Sequence, residues 1–188
     1  MMESHSLLLR RDQSQLLVVD IQDKLINTIH KVEAMMDRAR LVIAAARQFE
    51  LPITISEQYP KGLGSTDAAI REACGNVTPV FAKTAFSCLR DEAIADQLAV
   101  HRHRKQLVIV GMEAHVCVLQ TALDAVAEGY SVFVVGDAVS SRSASDVEAA
   151  KHRMEKAGVT VISAEMAFFE WLERAGTPDF KALAPLLR

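Results

Sequence analysis

Short runs of consecutive apolar residues recur along the chain, and segments with helical periodicity lie between them. The runs are nearly continuous in hydrophobicity rather than alternating, which is typical of strands in a parallel sheet that is covered on both faces. They predict six strands, at Leu16–Asp20, Pro52–Ser56, Pro79–Ala82, Leu107–Val110, Val132–Val135 and Val159–Ile162. The intervening segments predict helices at Val32–Phe49, Thr66–Ala73, Asp91–His101, Val116–Glu128, Ala144–Ala157 and Ala164–Ala175.

This alternation of strands and helices predicts an α/β fold. Right-handed crossovers between successive strands give a Rossmann-like three-layer α/β/α arrangement, with a six-stranded, mostly parallel sheet flanked by helices. The chain has 188 residues, of which 50% are hydrophobic, and this is enough for one domain with a full core. We therefore expect a single domain over residues 1–188, with residues 1–13 as a short N-terminal extension.

Charge and cysteine content narrow the class of protein. The formal net charge of −3 provides no global positive field for nucleic acid or an anionic membrane, and the basic stretch His101–Lys105 is interpreted as a solvated connection. Three cysteines, an odd number, argue against a disulfide framework and for a reducing compartment. No apolar run approaches the roughly 18 residues of a membrane span, and the first residues lack a signal-peptide pattern. We expect a cytoplasmic protein, although Arg10 and Arg11 leave organelle targeting open.

Three residues with side chains suited to catalysis follow predicted strands. The carboxyl ends of strands are where ligands of parallel sheets bind. Asp20 and Lys83 come at the ends of the first and third strands, and each is costly to bury without a partner. Cys117 follows the fourth strand in the first turn of a helix, whose free N–H groups and dipole favour a thiolate. Together they could balance charge and transfer the thiol proton to the carboxylate. Taken singly, each residue also fits a structural role: a turn or helix cap, a snorkelling lysine and a buried thiol.

The motifs around these residues resemble a known family. Four segments carry the resemblance: Leu17–Gln22, Thr54–Gly64, Lys83–Ser87 and Gly111–Val118. Their order and spacing are similar to those of the isochorismatase-like cysteine hydrolase superfamily, and the second segment is similar to its branch of isochorismatase-domain-containing proteins. The resemblance extends over nearly the whole chain.

The resemblance implies roles for particular residues. Cys117 would be the nucleophile, Asp20 the general base, and Lys83 the group that orients Asp20 and favours the thiolate. A cis peptide at Met112–Glu113 would aim the backbone N–H of Glu113, together with that of Cys117, at the substrate oxygen as an oxyanion hole. Five residues flanking the motifs are expected to bind substrate: Gln22, Gln58, Tyr59, Phe86 and His115.

The implied reaction is cleavage of a small amide, ureido or related C–N bond through a thioester, without metal or cofactor. The metal-dependent nicotinamidases of the superfamily carry histidines after the second strand, and the segment Ser56–Gly64 has none, so a metal-dependent nicotinamidase is disfavoured. The resemblance also implies a homo-oligomer, a dimer or tetramer, that acts on a small molecule and binds neither nucleic acid nor membrane.

Other interpretations stay open at this point. The chain could be a catalytically idle scaffold or interaction protein with an isochorismatase fold, or a redox protein that uses Cys117 as a sensor. A dinucleotide-binding oxidoreductase is disfavoured because no Gly-x-Gly-x-x-Gly turn follows the first strand. Cys74 and Cys88 are interpreted as buried core thiols. The apolar segment around Trp171 either caps the sheet or meets a second subunit.

Overall fold

A computed structural model describes residues 7–187, which form three layers around a six-stranded sheet. The strands are β1 (Ser14–Val19), β2 (Ile53–Gln58), β3 (Val80–Lys83), β4 (Gln106–Met112), β5 (Ser131–Ser140) and β6 (Thr160–Ile162). Their order is β3-β2-β1-β4-β5-β6, and every neighbouring pair is parallel. The predicted fold class is confirmed, with a sheet that is wholly rather than mostly parallel.

The helices of the described residues alternate with these strands. They are α1 (Asp23–Ile26), α2 (Val32–Gln48), α3 (Pro60–Leu63), α4 (Ala68–Cys74), α5 (Glu92–Val100), α6 (Leu119–Ala127), α7 (Ala144–Lys156), α8 (Ala164–Leu172) and α9 (Pro178–Leu183). Two 3₁₀ turns lie at Cys88–Arg90 and Ala184–Leu187, and a π-helical turn lies at Ala114–Val118. The short helices α1, α3 and α9 were not predicted. No helix among residues 7–187 has the length and apolar character needed to cross a membrane.

Successive residues of the central strands feed two separate cores, because side chains along a strand point alternately to its two faces. Leu16 and Val18 of β1 lie in the core covered by α2, α4 and α8, whereas Leu17 and Val19 lie in the core covered by α5, α6 and α7. All four side chains are fully buried. This explains why the strands read as continuous apolar runs.

The first described residues and the C-terminal apolar segment both pack on the domain. The backbone N–H of Leu9 donates to Glu170 Oε2 at 2.7 Å, and the guanidinium of Arg11 lies 4.1 Å from the centre of the Phe49 ring. Trp171 is fully buried, and its indole N–H donates to a serine hydroxyl of β1. Residues 7–13 of the predicted extension are therefore attached to the domain, and residues 1–6 lie outside the described part.

Gly111 allows β4 to run close beside β1 up to the carboxyl ends of these two central strands, between which the strand order reverses. Its φ is +128°, and a Cβ atom at this position would lie 2.0 Å from the carbonyl oxygen of Val19. Only glycine fits both the conformation and the close approach. The Met112–Glu113 peptide bond that follows is cis, and the chain then enters the π-helical turn. This turn carries Cys117.

Candidate active site

A buried ion pair joins Asp20, just after β1, to Lys83, the last residue of β3. The Lys83 side chain crosses the end of β2, and its Nζ donates to Asp20 Oδ2 at 2.8 Å. Nζ also donates to Gln58 Oε1 at 2.6 Å and to the carbonyl oxygens of Ala85 and Phe86, at 3.2 and 3.1 Å. The charged groups of the pair are shielded from solvent. The ammonium is thus surrounded by oxygen atoms, one of which carries a full negative charge.

Cys117 lies at the same edge, with its side chain almost completely buried. Its Sγ lies 3.9 Å from Gln58 Oε1, so that this amide oxygen faces both the thiol and the ammonium of Lys83. The structure therefore brings together the three residues for which the sequence predicted catalytic roles.

The electrostatics of the site favour a thiol in the resting protein. Burial, and then the negative charge of Asp20, raise the pKa of Cys117, and the opposing effect of Lys83 is smaller. Burial alone would lower the pKa of Lys83, but Asp20 and the nearby thiols outweigh it, so the pKa is raised. In this resting arrangement, burial and the neighbouring carboxylate therefore act against the thiolate that the first helical turn is expected to favour.

Gln22, which the sequence predicted to bind substrate, is buried rather than exposed to a ligand. Its side chain is fully buried; Oε1 accepts from the backbone N–H of Gln58 at 2.7 Å, and Nε2 donates to the carbonyl oxygens of Gln58 and Gly64 at 3.0 and 2.7 Å. Since these backbone groups already use the amide, Gln22 holds the end of β2 and the following loop in place.

Tyr59 and Phe86 are both exposed, with 55% and 53% of their surfaces accessible to solvent. Both are tied to Lys83: the backbone N–H of Tyr59 donates to the Lys83 carbonyl oxygen at 2.8 Å, and the Phe86 carbonyl accepts from Nζ. The Tyr59 ring covers Gly62, where a Cβ atom would lie 2.5 Å from the ring carbons. These two predicted substrate-binding residues lie where a ligand could reach them.

His115 is held against the loop that follows β5. Its Nδ1 lies 2.9 Å from Ser141 Oγ, and its Nε2 lies 3.5 Å from a guanidinium nitrogen of Arg142. Arg142 Nε also donates to Glu113 Oε1 at 2.8 Å. The predicted binding residue His115 therefore belongs to a polar cluster with Glu113, Ser141 and Arg142, of which the sequence analysis had not identified the last two.

A second polar group that the sequence analysis missed lies behind Asp20. Ser56 and Cys88 are both fully buried; Ser56 Oγ donates to Asp20 Oδ1 at 2.7 Å and accepts from Cys88 Sγ at 3.4 Å. Cys88 is a buried free thiol as predicted, but it is hydrogen-bonded rather than purely apolar. A signal was available, since Ser56 is a polar residue at the end of the predicted strand Pro52–Ser56.

In the described part of the chain, no group of three or more His, Cys, Asp or Glu side chains is arranged to hold a metal ion. The functional groups that converge at this edge are instead a carboxylate, an ammonium, a thiol and a side-chain amide. They suit acid–base and nucleophilic chemistry.

Similarity to known proteins agrees with this arrangement. The Isochorismatase domain family model matches residues 14–166. Isochorismatase family protein 1B of Dictyostelium discoideum is 34% identical over 179 residues, which cover 94% of this chain and 87% of that protein. The structure of MAR1 ribonuclease from Caenorhabditis elegans is similar with a TM-score of 0.89 and 37% identity, covering 96% of this chain and 92% of that chain.

A further similar structure is the YcaC gene product of Escherichia coli, described as an octameric hydrolase of unknown specificity. Its TM-score is 0.90 at 23% identity, covering 98% of this chain and 91% of that chain, and at this identity it supports the fold alone. The family match covers most of the chain, and the Dictyostelium relative is similar over nearly its full length. The chain therefore belongs to the isochorismatase family, within the isochorismatase-like superfamily of hydrolases.

Proposed function

We propose that this protein is a metal-independent cysteine hydrolase that cleaves a small amide, ureido or related C–N bond through a thioester at Cys117. The observation that carries the proposal is the buried Asp20–Lys83 ion pair beside the thiol. A buried ion pair is often no more stable than well-packed apolar residues, so its presence calls for a reason other than stability. Titratable groups with shifted pKa values cluster at functional sites.

In the proposed mechanism, Asp20 takes the thiol proton as Cys117 attacks the carbonyl carbon. The raised pKa of Cys117 supports this order, because the sulfur enters the reaction as a thiol and needs a base. Asp20 then returns the proton to the nitrogen as the C–N bond breaks, and an amine or ammonia leaves. Water, deprotonated by Asp20, hydrolyses the thioester and restores the thiol. Lys83 stays cationic throughout and holds the carboxylate in place.

The backbone N–H groups of Glu113 and Cys117 are the proposed oxyanion hole. Glu113 directly precedes the π-helical turn and Cys117 lies within it, so that both backbone N–H groups belong to the segment that carries the nucleophile. Removal of one such donor in other hydrolases costs about 10²–10³ in turnover.

We propose that the substrate lies between the exposed side chains of Tyr59 and Phe86 and the turn of Cys117. Tyr59 and Phe86 would contact its apolar part, whereas Gln58 and His115 would bind its polar groups. Gln22, buried beneath, supports this surface by fixing the backbone of Gln58. Binding of a substrate carbonyl near the thiol would compete with Gln58 Oε1 for the thiol proton.

RNA is a second candidate substrate, because the similar structure from Caenorhabditis elegans is described as a ribonuclease. The basic stretch His101–Lys105 directly precedes β4, so it lies at the amino ends of the strands, opposite to the edge that carries Cys117. The net charge is −3. A small molecule is therefore the better-supported substrate, and RNA cleavage that depends on Cys117 would reverse this preference.

We also propose that the protein is a cytoplasmic homo-oligomer. The three cysteines are free, as expected in a reducing compartment. Leu8, Met166 and Phe169 are exposed by 61%, 54% and 46% and line a groove of about 790 Å³ on α8. Arg10, Glu165, Glu170 and Glu173 line the same groove, so a subunit contact here would combine apolar and charged side chains. Light scattering after gel filtration should give a dimer or tetramer, and a monomer would contradict this proposal.

The decisive experiment is a turnover screen with a pool of small amide and ureido compounds, read by release of ammonia or amine and by mass spectrometry of acylated Cys117. Cys117→Ala and Asp20→Asn should abolish release, whereas Cys74→Ala, which removes a buried thiol from α4, should retain it. Turnover that survives Cys117→Ala would refute the nucleophile. An unreactive Cys117 that no pool member acylates would support the idle scaffold instead.

A further inference from the structure

Asp20 has a second anchor on the side away from Lys83. Ser56 of β2 pairs in register with Val19 of β1, and its carbonyl oxygen accepts from the backbone N–H of Asp20 at 3.1 Å. Its hydroxyl donates to Asp20 Oδ1 at 2.7 Å. Lys83 donates to the other carboxylate oxygen, so each oxygen of Asp20 has its own donor. Ser56 thus holds both the backbone and the side chain of this residue.

The Ser56 hydroxyl has a second hydrogen-bond partner, the thiol of Cys88. Burial, followed by the charge of Asp20, raises the pKa of Cys88 to about 11, so the thiol keeps its proton at neutral pH and can donate it. Its Sγ lies 3.4 Å from Ser56 Oγ. A hydroxyl that accepts from Cys88 has its own single proton left for Asp20.

The surroundings of Asp20 contain few other groups that could fix it. The titratable groups that face it are Lys83 from β3, Cys88 from the 3₁₀ turn and Cys117 from the π-helical turn. Of these, only the ammonium is charged in the resting protein. Without Ser56, Asp20 Oδ1 would lose its hydroxyl donor, and the ion pair with Lys83 would hold the carboxylate through Oδ2.

We propose that Ser56 is a positioning residue for the hydrolase reaction, and that Cys88 acts through it by orienting its hydroxyl towards Asp20. This inference rests on the proposed function, in which Asp20 activates the water that hydrolyses the thioester. The pair gives one buried serine and one buried thiol a role in the reaction, although neither contacts the substrate.

The step that isolates Asp20 is hydrolysis of an acyl-cysteine, because it needs an activated water and no longer depends on the thiol pKa. p-Nitrophenyl acetate supplies the acyl group: the sulfur–carbon bond forms as p-nitrophenolate leaves, and water then releases acetate. Intact mass and peptide mass spectrometry follow loss of the acetyl group from Cys117 across a range of pH values.

We expect Ser56→Ala to slow deacetylation about ten- to a hundred-fold, the range that misplaced catalytic groups produce. The acid limb of the pH profile should also move to higher pH, because a carboxylate with one donor fewer takes up a proton more readily. Ser56→Thr, which keeps the hydroxyl, should restore the wild-type limb. Ser14→Ala is the matched control: Ser14 is equally buried and hydrogen-bonded but begins β1, at the opposite edge of the sheet.

The outcomes separate the inference from the function on which it rests. If Asp20→Asn slows deacetylation but Ser56→Ala matches the wild type in rate and pH profile, the role of Ser56 is refuted and the proposed function stands. If Cys117 is never acetylated, or Asp20→Asn has no effect, both fall. If Ser56→Ala does not fold, the pH profiles of deacetylation are compared for Cys88→Ala, which removes the donor to Ser56, and Cys88→Ser, which keeps one. An acid limb that shifts only in Cys88→Ala supports the inference, and identical profiles for the two variants overturn it.

Discussion

Replacing Lys83 by methionine should expose how much of the fold depends on the buried ion pair. The ammonium is shielded from solvent and lies 2.8 Å from Asp20 Oδ2. At this separation, and with an effective dielectric constant of about 20, Coulomb's law gives a gross attraction of about 6 kcal/mol. In the wild type, the cost of removing both charges from water offsets much of this attraction. In Lys83→Met, the carboxylate of Asp20 still carries its own desolvation cost but has lost the attraction to the ammonium. We expect the free energy of unfolding to fall by about 3–5 kcal/mol.

The assay is urea unfolding at pH 7, followed by fluorescence of Trp171, which is fully buried and the sole tryptophan of the sequence. Lys24→Met is the matched control, since Lys24 is exposed and donates to a backbone carbonyl; it should change stability by less than about 0.5 kcal/mol. The double variant Lys83→Met/Asp20→Asn, which buries no charge at this site, should lose less than the sum of its single variants, with a coupling of about 1–3 kcal/mol.

The pH dependence gives the same reasoning a second check. In Lys83→Met, the unpaired carboxyl group can be neutralised by a proton, so the difference from the wild type should narrow as the pH falls from 7 towards about 5. In the wild type, the pKa of Lys83 is raised above its ordinary 10.5, so the stability that this group contributes is present below that pH and lost as the pH rises through the folded-state pKa. A loss below about 1 kcal/mol in Lys83→Met, the size typical of an exposed ion pair, would refute the reasoning.

Three further predictions test the backbone and the thiols. Gly111→Ala should cost at least about 2 kcal/mol in urea unfolding, because the new Cβ would overlap the Val19 carbonyl oxygen and the positive φ would be strained; wild-type stability would contradict the close approach. Iodoacetamide labelling of Cys117 at fixed pH should be slower in Lys83→Met, since the ammonium lowers the pKa of Cys117; an unchanged rate would mean that Lys83 does not act on the sulfur. The free energy of unfolding should fall as the pH rises from 9 to about 11, because burial raises the pKa values of Cys74 and Cys88 to about 11. In this range the folded state keeps thiol protons that the unfolded state has lost. Constant stability over this range would argue against the burial of the two thiols.

The extent of the fold that could be predicted differs between strands. The apolar runs located all six strands. In the central strands β1 and β4, burial on both faces explains the continuous hydrophobic signal, whereas the edge strands β3 and β6 are partly exposed. β5 was predicted to end at Val135, yet it continues to Ser140. The extension includes Gly136 and Asp137, which carry no strand signal, and the register of its pairing with β4 shifts just there. Pairing with a neighbouring strand extends β5, and a single-residue pattern does not contain that information.

At the site, the grouping of residues that end strands could be predicted from the sequence, whereas their hydrogen-bond partners could not. Asp20, Lys83 and Cys117 could be grouped because the carboxyl ends of parallel strands meet at one edge. The burial of Gln22 could not be predicted, since its amide is used by backbone groups of a loop about 40 residues away. The contact between Ser56 and Cys88 likewise depends on where the 3₁₀ turn after β3 folds back.

The protonation of Cys117 in the resting site likewise depends on its surroundings and could not be predicted from its position in the sequence. Position alone put Cys117 in a first helical turn and favoured a thiolate. The environment adds burial and a carboxylate whose charge is already paired with Lys83, and both changes act against a second negative charge on sulfur. The thiol form of Cys117 is therefore favoured while the Asp20–Lys83 ion pair is intact. In the proposed mechanism, the sulfur therefore becomes negative only as its proton moves to Asp20 and its bond to carbon forms.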